Sequence, residues 1–409
     1  MRATQGGLST TGNRLNMVST KPHANSCTFW GGALSLYSGK VRSYLIKKGI
    51  PYREFYASHP DFQARIRPIV GLGVTPIIET PDGCVLQDST EIIEALERKY
   101  PKHPMVPPTS KLRALAWLLD AYASEHLLTM AMHFRWAEPH VSQHRNFLHA
   151  EFGRASYIGT DWAEREVAGR RMVAYFSNML NALGSNRVTA NAIEAEFTEL
   201  LACLELHFQH VPYLLGGHPS IADFGFMAPL YAHLGRDPSP AHLMALRAPN
   251  VARWIERMNL AVIPDGEFPD VPAEFDGGDA IPSTLVPLLE LIFSDWTPEL
   301  LANANAFNAW IAAYPDLAAG AVVGLDGKKR VHPHLGPISY QWRGCLVERS
   351  SAPHALWHFS RFQEQLVSCA GEARDTLMPL LEQLGGEKTC SIKLTRPLIR
   401  QNYALCLGP

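Results

Sequence analysis

A proline sits inside the apolar run Gly73-Val74-Thr75-Pro76-Ile77-Ile78, and it limits what this part of the chain can become. Proline has no N–H to give to a ladder, so within a sheet it marks an edge strand or a bend. If the Thr75–Pro76 bond is cis, the turn aims the backbone N–H and C=O of Val74 at an extended peptide, which can pair there as an added strand. After a Pro81-Asp82-Gly83 turn the chain continues Gln87-Asp88-Ser89-Thr90-Glu91. Asp88, with Glu91 three residues later, reads as a capping box opening a helix through Ile92, Ile93 and Leu96. A helix start offers unpaired N–H groups and a positive dipole end, so it can hold a carboxylate beside Ser89 while Asp88 faces an ammonium. A small peptide ligand suits this pattern, although strand, turn, strand and capped helix are also ordinary α/β grammar.

At 409 residues the chain is long enough for two or three domains with buried cores. A net charge of −2 and 19% charged residues give no electrostatic case for nucleic acid, and no basic block is present. Seven cysteines, at 27, 84, 203, 345, 369, 390 and 406, form no CxxC pair and are too sparse for a disulfide scaffold. A reducing, cytoplasmic setting is the simplest expectation. No apolar run approaches the length of a membrane span. Residues 1–26 are rich in Ser, Thr, Asn and Gly, and no acidic residue precedes Glu54, so this segment is expected to be disordered. Its Arg2, Arg14 and Lys21 admit an organelle-targeting reading, with Met17 as an alternative start.

The pattern predicts a strand at Thr28–Trp30, a helix from Tyr37 to Lys48 ended by Gly49 and Pro51, and a strand over Tyr52–Tyr56. A helical stretch around Phe62–Ile66, the Pro76 strand, a strand at Val85–Gln87 and a helix over Ser89–Lys99 follow. This β-α-β-α-β-β-α order, over residues 27–104, is that of a thioredoxin-like domain. Past Pro101, Pro104, Pro107 and Pro108 the period lengthens to that of helices, beginning with one long helix through Leu112, Leu115, Leu118, Leu119, Tyr122, Leu127 and Met130. Residues 109–264 are therefore expected to be all-α. Within them Ser220 caps a helix and Asp223 reaches back to the cap's own N–H. From Asp265 to Asp279 there are six acidic residues, no basic ones and several Pro and Gly, so 265–282 reads as a linker. Residues 283–409 form a mostly helical extension in which Gly336–Glu348 alternates like a hairpin. The fold class is α+β, with apolar residues enough in the extension for a core of its own.

Over about Thr28 to Asn259 the chain resembles the glutathione transferase family. The matching features are Ser35-Leu36-Tyr37-Ser38-Gly39-Lys40-Val41-Arg42, Val74-Thr75-Pro76, Asp88-Ser89, and the Ser220/Asp223 box behind Leu214-Leu215-Gly216-Gly217. The resemblance implies a thioredoxin-like domain joined to an all-α domain, a homodimer, and glutathione as co-substrate, its thiol the nucleophile. Val74 would bind the cysteinyl backbone of glutathione, with Thr75 and the cis-proline Pro76 behind it, and Asp88 and Ser89 would hold the γ-glutamyl end. Asp88 stands where the family usually has glutamate, one methylene longer.

Aligned on Lys40-Val41-Arg42, Ser35 falls where serine-type members keep the catalytic hydroxyl, with Ser38 and Tyr37 as alternatives. A hydroxyl at a helix N-terminus favours thiolate over thiol, and such sites lower a thiol pKa from about 8.5 to roughly 3.5–7.5. Ser35 could equally be a helix cap. No cysteine lies between Gly31 and Arg42, which argues against thiol-disulfide exchange. Tyr37, Met130, His133, Phe134 and Trp136, with His126 nearby, are the candidates for an apolar second-substrate pocket. Such a stripe is more commonly core. A metal site from His140 and His144, which could share a helix face, would need further ligands in good geometry, so no metal is expected. The leading reading is an enzyme that adds the glutathione thiolate to a hydrophobic electrophile by conjugation, ether cleavage or isomerisation. The alternative is a non-catalytic binding or scaffold protein on the same fold.

Overall fold

The computed structural model describes residues 19–409. Up to residue 18 the expected disorder, the targeting reading and Met17 lie outside the described residues. Residues 19–26 depart from the expectation of disorder because they are tied to the first domain. Thr20 is buried and its carbonyl accepts from Thr28 Oγ1 at 2.6 Å, while Arg53 holds the carbonyls of Ser19 and Lys21.

The first domain comprises β1 (Cys27–Trp30), α1 (Leu36–Lys48), β2 (Tyr52–Phe55), a π-helical turn Phe62–Ile66 running into α2 (Arg67–Val70), β3 (Ile77–Glu79), β4 (Val85–Gln87) and α3 (Ser89–Lys99). The sheet order is β2-β1-β3-β4, with β1 and β2 parallel and the other pairs antiparallel. β1 is buried at every position because helices cover both of its faces. The Thr75–Pro76 bond is cis. β3 is an inner strand, paired to β1 and β4 from Ile77 onward, so Pro76 belongs to a bend ahead of the ladder rather than to an edge strand.

The second domain carries α4 (Ser110–Ala121), a π-helical turn Tyr122–His126, α5 (Leu127–Trp136), α6 (His140–Ser156), α7 (Trp162–Phe176), two 3₁₀ turns (Ser177–Met179 and Asn181–Leu183), α8 (Ala190–Phe208), α9 (Ile221–Ala232), α10 (Pro238–Arg247) and α11 (Pro249–Met258). The single long helix expected from Leu112 is thus two helices separated by the π turn. α9 runs through the centre, and Gly225 lets it touch α4, since a Cβ there would sit 2.5 Å from Asp120 Oδ1. Asp223 completes the capping box. Its Oδ2 accepts from Ser220 N at 2.9 Å and Ser220 Oγ at 3.1 Å, and its Oδ1 accepts from Leu214 N and Trp254 Nε1.

The acidic segment 265–282 is laid against this body. Phe275 bridges to Gly216, and Asp279 caps α4 by accepting from Lys111 N and Leu112 N at 2.9 Å each. The extension contains α12 (Val286–Ala313), the hairpin β5 (Pro337–Trp342) and β6 (Cys345–Ser350), α13 (Pro353–Ser368), α14 (Glu372–Gln383), α15 (Glu387–Cys390) and the hairpin β7 (Leu398–Gln401) and β8 (Ala404–Leu407). Both hairpins turn on two residues of positive φ, Arg343-Gly344 and Asn402-Tyr403, the geometry that matches strand twist. The extension does not keep a core of its own. Trp296 packs against Tyr122 and Phe359 at ring distances of 5.9 and 5.7 Å, and one apolar cluster runs through all three parts of the chain. α13 lies along α4, which is consequently buried on nearly every face.

Candidate functional site

A cavity of about 430 Å³ opens where the two domains and the extension meet. Its first-domain wall is Tyr37, Val74, Thr75, Pro76, Asp88 and Ser89, and its apolar wall includes Leu128, Met132, Phe176, Met179 and Leu183. The extension supplies Arg330, Arg349, His354, His358, Arg400 and Tyr403. Among the described residues, neither backbone group of Val74 enters a backbone hydrogen bond, so an edge of main chain faces the cavity beside Pro76.

Asp88 is the N-cap of α3, with a positive φ of 81°. Its Oδ1 accepts from Thr90 N at 2.9 Å and Glu91 N at 3.4 Å. The reciprocal half of the expected capping box is missing, because Glu91 is drawn to Arg400 Nε at 3.0 Å instead of back to the cap. Asp88 Oδ2 accepts from His354 Nε2 at 3.0 Å, with the Arg400 guanidinium 3.9 Å away. Burial would raise the Asp88 pKa, but Arg400 and His354 outweigh it and hold the carboxyl well below its usual range.

From Asp88 a chain of charges runs inward. Glu125 Oε1 accepts from His354 Nδ1 at 2.9 Å and from His358 Nδ1 at 3.2 Å. His358 Nε2 lies 2.9 Å from Asp120 Oδ2, and Asp120 Oδ1 meets Lys40 Nζ at 2.6 Å. Burial works against a charged His354, yet Glu125 and Asp88 push its pKa up from 6.5 to about 9. His354 is therefore an imidazolium at neutral pH, clamped between two carboxylates.

Ser35 is the N-cap of α1; its Oγ accepts from Ser38 N at 3.3 Å. It is half-buried and does not line the cavity, whereas Tyr37, two residues on, does. The Tyr37 hydroxyl donates to the carbonyl of Ser124 at 3.0 Å, and burial, with Glu125 and Asp88 nearby, pushes its pKa well up. The remaining pocket candidates point elsewhere. Met130 and Phe134 belong to the main core and Trp136 to a smaller cluster with Phe152. His133 is buried against Phe134 and Ser185, and His126 is bound between Glu196 and Glu299. His144 Nε2 donates to the Arg135 carbonyl and does not meet His140. Sequence reasoning missed His354, His358 and Arg400. The first two are one helical turn apart behind Pro353, a spacing that places both on one face of a helix start.

A thioredoxin-like sheet joined to an all-α domain, with a cis-proline loop and a capped helix facing the cavity between them, defines the transferase architecture. The description "Glutathione S-transferase, N-terminal domain" matches residues 31–104, and "Glutathione S-transferase, C-terminal domain" matches residues 161–257. Through these two domains the chain belongs to the glutathione transferase family. Similar solved structures include a glutathione S-transferase from Rhodospirillum rubrum F11, 16% identical, covering 63% of this chain and 96% of that one with a TM-score of 0.36. A Methylobacterium radiotolerans glutathione S-transferase in complex with glutathione sulfonate is 19% identical, covering 63% and 100%, with a TM-score of 0.35. Beta-etherase LigF from Sphingobium sp. strain SYK-6 is 19% identical, covering 57% and 94%, with a TM-score of 0.38. No curated protein matches the chain. No helix among the described residues is long and apolar enough to cross a membrane.

Proposed function

We propose that this chain is a glutathione-dependent transferase that holds glutathione in the cavity between its domains and delivers the thiolate to a hydrophobic electrophile. The observation that carries the reading is the convergence of the Val74 main-chain edge, Pro76, Asp88 and Ser89 on one cavity of about 430 Å³, within the size range of small-molecule sites. The cysteinyl backbone pairs with Val74 and the γ-glutamyl end meets Asp88 and Ser89. The electrophile lies against Leu128, Met132, Phe176 and Met179. The hydroxyl that stabilises the thiolate is assigned to Ser35, the N-cap of α1 two residues before Tyr37, although it stands outside the cavity lining. Its Oγ acts as an acceptor toward Ser38 N and leaves its own proton to give, while the Tyr37 proton is committed to Ser124. Titration of the purified protein with glutathione tests the reading, and no binding at millimolar concentration overturns it.

One observation favours the second reading, a non-catalytic binding or scaffold protein. Asp88 already carries His354 and Arg400 from its own chain, so a ligand ammonium has to join or displace them. Turnover of a generic electrophile, abolished by altering the glutathione site, excludes that reading. The homodimer implied by the resemblance would use a face other than the side of α4 that α13 covers, and sedimentation velocity measures whether it forms.

A further inference from the structure

Away from the cavity, three side chains from three helices converge. His133 of α5, His140 at the start of α6 and Glu194 of α8 each present one donor atom, all within 4.8 Å of one another. His133 Nε2 lies 3.5 Å, and His140 Nε2 3.3 Å, from the same oxygen, Glu194 Oε1. The second nitrogen of each ring is held at 2.9 Å by a serine hydroxyl, Ser185 on His133 and Ser239 on His140.

Zinc bonds of about 2.0–2.1 Å in a tetrahedron place neighbouring donors about 3.3–3.4 Å apart, so both observed separations already suit a shared ion. The rings are 5.6 Å apart and inclined at 68°, approaching a common point from two directions rather than stacking. Metal-ligating histidines almost always anchor their other ring nitrogen on a fixed partner. Serine both donates and accepts, so Ser185 and Ser239 can receive Nδ1–H once Nε2 turns its lone pair to a metal. His133 is buried, while the Glu194 side chain is 43% exposed and leaves an entry path.

We propose that His133, His140 and Glu194 form a site for a divalent transition-metal ion, zinc by preference, with water as the fourth ligand. The ion ties the start of α6 to α5 and α8. Ser185 follows the 3₁₀ turn that carries Ala182 and Leu183 of the cavity wall, so the metal also fixes one side of the electrophile pocket.

The experiment titrates the full chain, stripped with a chelator, with Zn²⁺ by calorimetry and with Co²⁺ by visible absorption. One ion per chain is expected, with a tetrahedral Co²⁺ spectrum free of a thiolate charge-transfer band and a melting temperature that rises with metal. His140→Ala and Glu194→Gln, at partly exposed positions, are each expected to weaken binding at least about tenfold, and Ser239→Ala about tenfold. Circular dichroism confirms that each variant folds. The proposal fails if no ion binds at micromolar concentrations, or if the His140→Ala/Glu194→Gln double variant binds as the wild type does. A thiolate band, which would put the ion on cysteines such as the exposed Cys84, also overturns it.

Discussion

Replacing His354 by Gln removes one positive charge from between Asp88 and Glu125 while keeping a hydrogen-bond donor of similar reach. The charge is present because the imidazole pKa rises from 6.5 to about 9 in the folded chain. A raised folded pKa contributes stability that is complete below the unfolded value and is lost as pH climbs through the folded one. A tenfold change in proton affinity is worth about 1.4 kcal/mol. The difference between wild type and variant should therefore be about 3 kcal/mol at pH 6, about 2 at pH 7.4, and near zero by pH 10. Both carboxylates keep a second partner, Arg400 near Asp88 and His358 on Glu125, which holds the loss below the roughly 3–5 kcal/mol of a fully orphaned buried charge. The assay is denaturant unfolding followed by tryptophan fluorescence at four pH values between 6 and 10. Groups outside this cluster that titrate in the range, such as His126 with its pKa raised to about 10, are common to both proteins and cancel in the difference, whereas His358, on the same Glu125 oxygen, is coupled to the substitution. A difference that stays constant across the range, or that grows with pH, refutes the clamped imidazolium.

Ser35→Ala is expected to weaken the acidity of the bound glutathione thiol about tenfold, near 1.4 kcal/mol, read from thiolate absorbance; an unchanged value transfers the role to Tyr37 or Ser38. Asp223→Ala strips four donors of their acceptor, and at about 1–3 kcal/mol for each buried orphan group, partly relieved by relaxation, unfolding should become about 3–5 kcal/mol easier. Gly225→Ala should drive α9 off Asp120, lowering the unfolding midpoint and weakening glutathione binding together, because Asp120 anchors Lys40 and His358.

Residues 27–258 were legible because their signals are local: alternation in the strands, Gly49 past the end of α1, Asp88 and Ser220 at helix starts. Val74, Thr75, Pro76, Asp88, Ser89 and Tyr37 do line the cavity. Met130 and Phe134 do not: both are buried in the main core, the commoner fate of an apolar stripe, while Leu128 and Met132 of the same helix take the cavity face. Which side of a helix this apolar meets a cavity is decided by tertiary packing, and the periodicity of one segment does not record it. The contribution of the extension was hidden for another reason. His354 meets Asp88 across 266 residues of chain and Arg400 meets Gln87 across 313, and no local pattern encodes contacts at such separation.

α4 is apolar on two opposite sides, one filled by α9 and the other by α13. Two transferase domains alone would leave that second side bare, and a bare apolar helix face draws in another chain. Here the cover is tethered by the segment 259–285, so its effective concentration does not fall when the protein is dilute. The integrity of the cavity is therefore insensitive to protein concentration. A nick in that tether, leaving every side chain in place, would make it depend on concentration.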